Sequence, residues 1–294
     1  MHLVTFQHQG YVRLGTQVIR DGSSYILDLN RVQQDIPADL LLLLRAGGSV
    51  LELAREASAS ADKSQWIPES EVTLLAPLPH PGKILCVGHN YKGHIGIGRE
   101  ELPEYPNIFS KTANTITGPG QPILIPQVTN QVDYEAELMI VIGKTSRQVS
   151  EREAQANVAG YTIFNDVSAR DFQKRTSQWL LGKSFNTFGP MGPTLVTADE
   201  ISDPHCLDLE LTVNGVPRQH TNTRDMIFSV PFLVSYLSAV MTLEPGDVIA
   251  TGTPAKLPDA TNPQRFLEAG DVVRITIEKL GSLENTVAVE TAGI

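Results

Sequence analysis

Polar and apolar residues alternate with period two along much of this chain, and that pattern predicts strands. Residues 1 to about 30 alternate and are punctuated by Gly10, Gly15 and the Asp21-Gly22 pair, as in hairpins. Residues 38–46 read as a short helix ended by Gly47-Gly48. Ser49 and Glu52 have the spacing of a capping box in front of a second helix over about 50–58. A polar stretch then leads to Pro77, Pro79 and Pro81, and prolines at alternate positions disfavour both helix and central strand. A boundary near residue 75 follows, with a small N-terminal α+β domain over 1–75 and a larger domain over 76–294.

In the larger part, 83–87 is a short apolar strand opening into a loop with His89 and His94. That loop runs through Pro106 and is long enough to be functional or mobile. Strand patterns resume at 107–111 and 123–125. Ser150 and Glu153 repeat the capping-box spacing ahead of a helix over 151–158, and a strand over 159–164 delivers Asn165-Asp166 to its end. Residues 207–213 alternate into Asn214-Gly215, a hairpin signal, and 228–240 is helix-like with Pro231 in its first turn. Short strands separated by Gly246, Gly270 and Gly281 finish the chain. The fold class is mainly β with some α: a sandwich, barrel or roll.

One strand carries unusual chemistry. Asp133, Glu135 and Glu137 recur at every second residue, so they share a face, and the run then turns wholly apolar from Met139 to Ile142. Same-face neighbours on a strand lie about 6.5–7 Å apart. At that separation two carboxylates repel by about 2.5 kcal/mol at an effective dielectric of about 20. Spacing alone is served by a solvated strand face, the common fate of charge rows. The apolar continuation and a fourth carboxylate, Asp166, at a strand end point instead to a buried site. Oxygen donors without a Cys or His cluster suit a hard cation, Mg²⁺ or Mn²⁺, with Ca²⁺ as the alternative.

Composition narrows the function. The chain has 294 residues, 41% of them hydrophobic, and a formal charge of −10 with no basic stripe, which argues against nucleic-acid binding. No apolar run is long enough to span a membrane, and the N-terminus has no apolar signal segment, so a cytoplasmic protein is expected. Cys86 and Cys206 lack metal-site spacing and read as small core residues in a reducing compartment. There is no G-x-G-x-x-G after a strand, no Walker A, no G-x-S-x-G and no H-E-x-x-H. His89 and His94, five apart, would not share a face, which disfavours a two-histidine metal site. A lone loop histidine is commonly just hydrogen-bonded; as a functional group His94 would be a general base near neutral pH. Arg170 and Lys183 follow Asp166 closely enough to return to one site, where they would balance carboxylates and hold an anionic substrate. The Thr251-Gly-Thr-Pro254 turn suits a carboxylate ligand or a plain tight turn equally.

Taken jointly, residues 83–94, Asp133-Tyr-Glu-Ala-Glu-Leu138, 160–171, 179–184, 189–193, 213–215, 243–247 and 251–254 resemble, in order, the motifs of the fumarylacetoacetate hydrolase family. The resemblance covers about residue 80 to the end; residues 1–75 are compatible with the family's small N-terminal domain. It implies a mixed β-roll catalytic domain, a homodimer, and Mg²⁺ or Mn²⁺ held by Glu135, Glu137 and Asp166, with Asp133 supporting them. Lys183 would lie beside the metal, Arg170 and Gln173 near the substrate's carboxylate end, Thr253 on a substrate oxygen, and His94 on a closing lid. The implied activity is hydrolysis of a carbon–carbon bond in an acylpyruvate or related β-diketo acid. An isomerase or decarboxylase of metal-chelated 2-oxo acids is the same-scaffold alternative, and a non-catalytic binder of metal and oxo acids a third. Two positions depart from the family pattern. Ile97 stands where many short members carry a glutamate that polarises the lid histidine, with Glu100, Glu101 and Glu104 nearby. Lys256-Leu-Pro258 replaces a glycine-rich stretch.

Overall fold

Alternation along the strand Ala136–Ile142 sends Ala136, Leu138, Ile140 and Ile142 into one apolar core and Met139 and Val141 into another. Both faces of this strand are therefore covered, which is why its sequence becomes continuously apolar. The computed structural model describes residues 1–93, 102–261 and 265–291. Within them the strand lies near the middle of a 12-stranded sheet. It pairs antiparallel with Val158–Asn165 on one side and Val248–Ala250 on the other. Beyond Val248–Ala250 lie Ile84–Gly88, in parallel, and then Asn107–Lys111. Beyond Val158–Asn165 lies Gly189–Thr197.

The N-terminal strands continue the same sheet. His2–His8 pairs with Gly189–Thr197 through His2 opposite Val196, and the meander Tyr11–Arg20, Ser23–Asp28, Trp66–Pro68 extends it outward. Residues 76–82 run without regular structure, and the Thr5 hydroxyl donates to the Pro77 carbonyl at 2.8 Å. The sheet thus crosses the position near residue 75 where composition changes. A second sheet of five strands, Val216–Asn222, Asp208–Val213, Val272–Ile277, Gly281–Val289 and Ile123–Ile125, presents Leu209, Leu211, Val273 and Ile275 to the core that holds Leu138. Asn214 and Gly215, with φ of 54° and 75°, close its first hairpin as a type I′ turn requires. The helix Val230–Val240, capped by Ser229, seals this core with Leu233, Val234 and Leu237. The fold is mainly β with some α, in mixed sheets, as expected.

Several local expectations change. Ser49 and Glu52 form no capping box: helices Leu40–Ala46 and Gly48–Ser60 abut, and Gly47, at φ 87°, ends one and begins the other. That places Ser49 inside the first turn instead of before it. Ser150 and Glu153 do form the box, but the α-helix is only Glu151–Ala154. A 3-10 turn, Gln155–Asn157, follows because the strand begins at Val158. Cys86 is buried, whereas Cys206 is exposed, on the loop before Asp208–Val213, and so is not a core residue. Among the described residues no helix is long and apolar enough to cross a membrane.

Close approach fixes the sheet at Gly160, where a Cβ would lie 2.1 Å from the Val196 carbonyl oxygen on the paired strand. Gly160→Ala should lower stability by about 1–3 kcal/mol through overpacking, read as a reduced urea midpoint with unchanged slope.

Candidate active site

The strand Ala136–Ile142 carries Glu137 into the sheet, and Asp133 and Glu135 precede it on the same face, so all three line one cleft of about 900 Å³. Tyr134 and Ala136, between them, turn into the apolar core. The row is not solvated: Asp133, Glu135 and Glu137 are 1%, 7% and 1% exposed. Asp166 joins them because Val158–Asn165 runs antiparallel to the carboxylate strand and ends beside its start. The Asp166 N–H donates to the Glu135 carbonyl at 2.9 Å, and the Glu135 N–H to the Asn165 side chain at 3.0 Å.

Glu135, Glu137 and Asp166 each turn one carboxylate oxygen to a common point, those atoms lying within 4.8 Å of one another. Three buried like charges this close repel by at least about 3.5 kcal/mol per pair at an effective dielectric of about 20. Lys183 answers part of that. Its ammonium donates to Glu135 Oε2 at 2.7 Å and to Asp166 Oδ2 at 2.5 Å. Burial alone would lower its pKa, but the Asp166 and Glu135 charges outweigh burial and hold it above the ordinary lysine value. Lys183 ends the short helix Leu180–Lys183, which sits close because Gly182 allows it: a Cβ there would be 2.5 Å from the Gln173 nitrogen.

Arg170 is a strut. Its Nη2 meets Glu135 Oε1 at 2.6 Å, Nε donates to Asp133 Oδ2 at 2.8 Å, and Nη1 to Gln173 Oε1 at 2.8 Å. Gln173 and Thr253 also line the cleft. The Thr253 hydroxyl accepts from Gln219 Nε2 at 2.8 Å, which leaves its own hydrogen to donate. Phe109 and Trp179 form an aromatic wall, ring centroids 5.2 Å apart, with Lys183 5.1 Å from the Phe109 centroid. His94 lies outside the described residues, as do Ile97, Glu100 and Glu101; its neighbour Gly93 lines the cleft, and Glu104 is exposed.

Three side chains of the site are not assigned from the sequence. Lys111, at the end of Asn107–Lys111, is fully buried and donates to Asp166 Oδ1 at 2.7 Å and to the Val167 carbonyl at 3.0 Å. Its strand is mixed, Asn-Ile-Phe-Ser-Lys, so the sequence carries a weaker signal there than at Asp166. Gln219, 1% exposed, accepts from the Ala136 N–H at 3.0 Å while holding Thr253 and the Pro254 carbonyl. Nothing in local sequence marks it. Lys256, noted only as a departure from a glycine-rich pattern, lines the cleft and pairs with Asp133.

Glu137 differs from its neighbours. Among the described residues it has no ion pair, and it accepts one N–H, from Gly252 at 2.7 Å. Gly252 turns at φ 98°, where a Cβ would come within 2.9 Å of the Val87 carbonyl oxygen. Burial, and then the Asp166 and Glu135 charges, push the Glu137 carboxyl well above its ordinary value. A divalent cation at the common point would answer that uncompensated charge. The donor set, three carboxylate oxygens with room left in an open cleft, fits Mg²⁺ or Mn²⁺.

The pH dependence follows in sign. A carboxyl raised in the folded state favours folding below the unfolded-state value and loses that contribution as pH rises through the folded value. Metal-free protein should therefore lose stability as pH climbs from the ordinary carboxylate range, and added Mg²⁺ or Mn²⁺ should restore it. Metal should bind more tightly at higher pH with proton release, measurable by calorimetry in buffers of different ionisation enthalpy. Glu137→Gln should abolish stoichiometric Mn²⁺ binding yet leave metal-free protein at least as stable as wild type; retained stoichiometry would refute the ligand assignment. Lys111→Met, which strips Asp166 of one cation, should cost about 3 kcal/mol in urea unfolding.

The geometry has counterparts in known proteins. Residues 83–288 match the fumarylacetoacetate (FAA) hydrolase C-terminal family. The chain is 44% identical over 292 residues to an oxaloacetate tautomerase of Xenopus laevis, a mitochondrial protein, covering 98% of this chain and 90% of that one. It is 42% identical over 293 residues to an oxaloacetate tautomerase of Bacillus subtilis, covering 94% and 97%. Among solved structures it superposes on a maleylpyruvate hydrolase of Sphingobium in complex with manganese(II) and pyruvate, with TM-score 0.81, 34% identity and coverage of 99% and 100%. With that breadth of match in both sequence and fold, this chain belongs to the fumarylacetoacetate hydrolase family.

Proposed function

We propose that this protein is a divalent-metal-dependent keto–enol tautomerase of 2-oxo acids of the oxaloacetate kind. The observation that carries the reading is the buried Glu135–Glu137–Asp166 cluster with Lys183 on two of its members, in the floor of a cleft walled by further cations. Its support is twofold: relatives called oxaloacetate tautomerases match nearly the whole chain, and Ile97 stands where a histidine-polarising glutamate would serve water activation.

Glu135, Glu137 and Asp166 would hold Mg²⁺ or Mn²⁺, which would supply Lewis acidity that acidifies the C3 hydrogen of a bound 2-oxo acid. The chain's own groups do the rest. Lys183, held cationic by Asp166 and Glu135, places positive charge where the 2-oxo oxygen gains negative charge. Thr253 donates its hydroxyl hydrogen to a substrate oxygen. Arg170 fixes Glu135 and orients Gln173, whose amide N–H groups are directed to the substrate's carboxylate end. His94 carries the proton between C3 and the enol oxygen. Hydrolysis of an acylpyruvate shares every part of this apparatus and adds an activated water; the maleylpyruvate hydrolase likeness is what favours it as a second reading.

Protein freed of metal and reloaded with Mn²⁺ should accelerate decay of the enol absorbance of oxaloacetate, and His94→Asn should reduce that rate by about 10²–10⁴-fold with metal still bound. No acceleration by the loaded wild type would refute the tautomerase. Faster cleavage of acylpyruvates than enol conversion would instead establish the hydrolase.

A further inference from the structure

Asp133 is bracketed by two cations, Arg170 on Oδ2 and Lys256 on Oδ1. Arg170 is already committed to Glu135 and Gln173 as well. Among the described residues the Lys256 ammonium pairs with Asp133 alone, and it also lies 4.4 Å from the Tyr134 ring centroid. Its side chain is 12% exposed, and it lines the cleft. Arg170 is thus shared between Asp133 and Glu135, whereas the Lys256 ammonium, with one carboxylate partner, keeps donor capacity for an anionic ligand in the cleft it lines.

The position is rigid. Lys256 bridges Gln219 across the sheet edge, and the Leu257 N–H donates to the Arg218 carbonyl at 2.8 Å. Gln219 in turn ties the Thr253-Pro254 turn to the start of the carboxylate strand. The ammonium is therefore set in place before any ligand arrives, so binding it costs little ordering. Asp133 and Glu135 are two residues apart on extended backbone, with Cα atoms about 6.5–7 Å apart, and the Arg170 guanidinium spans their carboxylates. The Asp133–Lys256 pair therefore lies beside the chelating cluster, one strand repeat along the cleft.

We propose that Lys256 is the specificity-determining residue for a second, distal carboxylate, so that the cleft selects 2-oxo diacids over 2-oxo monoacids. The inference rests on the reading of the cleft as a metal-chelating 2-oxo-acid site. An ammonium–carboxylate contact is a charge-assisted hydrogen bond, and a methyl group in the same place forfeits it.

Wild type, Lys256→Met and Lys256→Arg, loaded with Mn²⁺ to equal measured stoichiometry, would be titrated calorimetrically with (S)-malate and with (S)-2-hydroxybutanoate. These two ligands offer the same hydroxy-acid chelate and differ in the distal group. Wild type and Lys256→Arg should bind malate at least about tenfold more tightly than 2-hydroxybutanoate. Lys256→Met should bring that ratio to within about twofold of one, with 2-hydroxybutanoate binding unchanged. A wild-type ratio in Lys256→Met, an equal fall for both ligands, or no binding of either to wild type would overturn the inference. In parallel, exchange of the C3 hydrogen with deuterated solvent would be followed for oxaloacetate and 2-oxobutanoate. Loss in Lys256→Met should be confined to oxaloacetate. If wild type exchanges neither, the tautomerase reading falls, while the malate ratio still decides the role of Lys256.

Discussion

Packing three carboxylates into a space where their oxygens approach within 4.8 Å is the constraint around which this molecule is built. Buried charges of one sign repel strongly and lose their hydration, so they persist only where fixed cations and dipoles replace water. Lys183 and Lys111 approach Asp166 from opposite oxygens, Arg170 and Lys183 do the same for Glu135, and the Gly252 N–H serves Glu137. The compensation is uneven, and the unevenness is informative. Asp166 and Glu135 are neutralised by the protein itself, whereas Glu137 receives only a backbone dipole, so the cluster is left with a charge that a divalent cation would answer.

The sheet provides the rigidity this needs. Glu137, Asp166, Lys111 and the Gly252 turn stand on or directly after strands of the central sheet, and those strands are neighbours: Asn107–Lys111, Ile84–Gly88, Val248–Ala250, Ala136–Ile142 and Val158–Asn165. Their register sets the site. Ala136 faces Asn165, so Asp166 must fall beside Glu135, and Met139 faces Ala250, so Gly252 must fall beside Glu137. Asn90, fully buried, ties the loop after Ile84–Gly88 to Phe228 and Thr251, and so steadies the turn that aims the Gly252 N–H. Function and stability therefore draw on the same side chains, and a change at Gln219 or Asn90 would act on the site through backbone position.

Much of the site was legible because its chemistry conflicts with its surroundings. Alternate acids running into Met139–Ile142 are incompatible with an ordinary buried strand, and Asp166 after the apolar run ending at Phe164 is anomalous in the same way. Lys111 offers a weaker signal, a lysine closing the mixed strand Asn107–Lys111, and its meaning depends on what lies opposite, 55 residues away. Gln219 carries no anomaly: a glutamine on an edge hairpin is ordinary until the hairpin folds back over Ala136 and Thr253. The failed capping box at Ser49 has a similar origin, since helix spacing there is set by how closely Leu40–Ala46 and Gly48–Ser60 abut.

Taken by itself, the sequence determined the mainly β architecture, the strand faces, the Asn214-Gly215 hairpin and the identity of the acidic row, because period-two patterning and turn chemistry are local properties of the chain. It also carried the ordered motif set by which the family can be recognised. The tertiary structure alone decided that the row is buried and which cation meets which acid. It likewise decided that Lys256 completes the wall beside Asp133 and that the N-terminal strands continue the central sheet. Those are facts of long-range register and burial: a carboxylate's meaning depends on its dielectric surroundings and on partners distant in sequence, and neither exists until the sheet has formed.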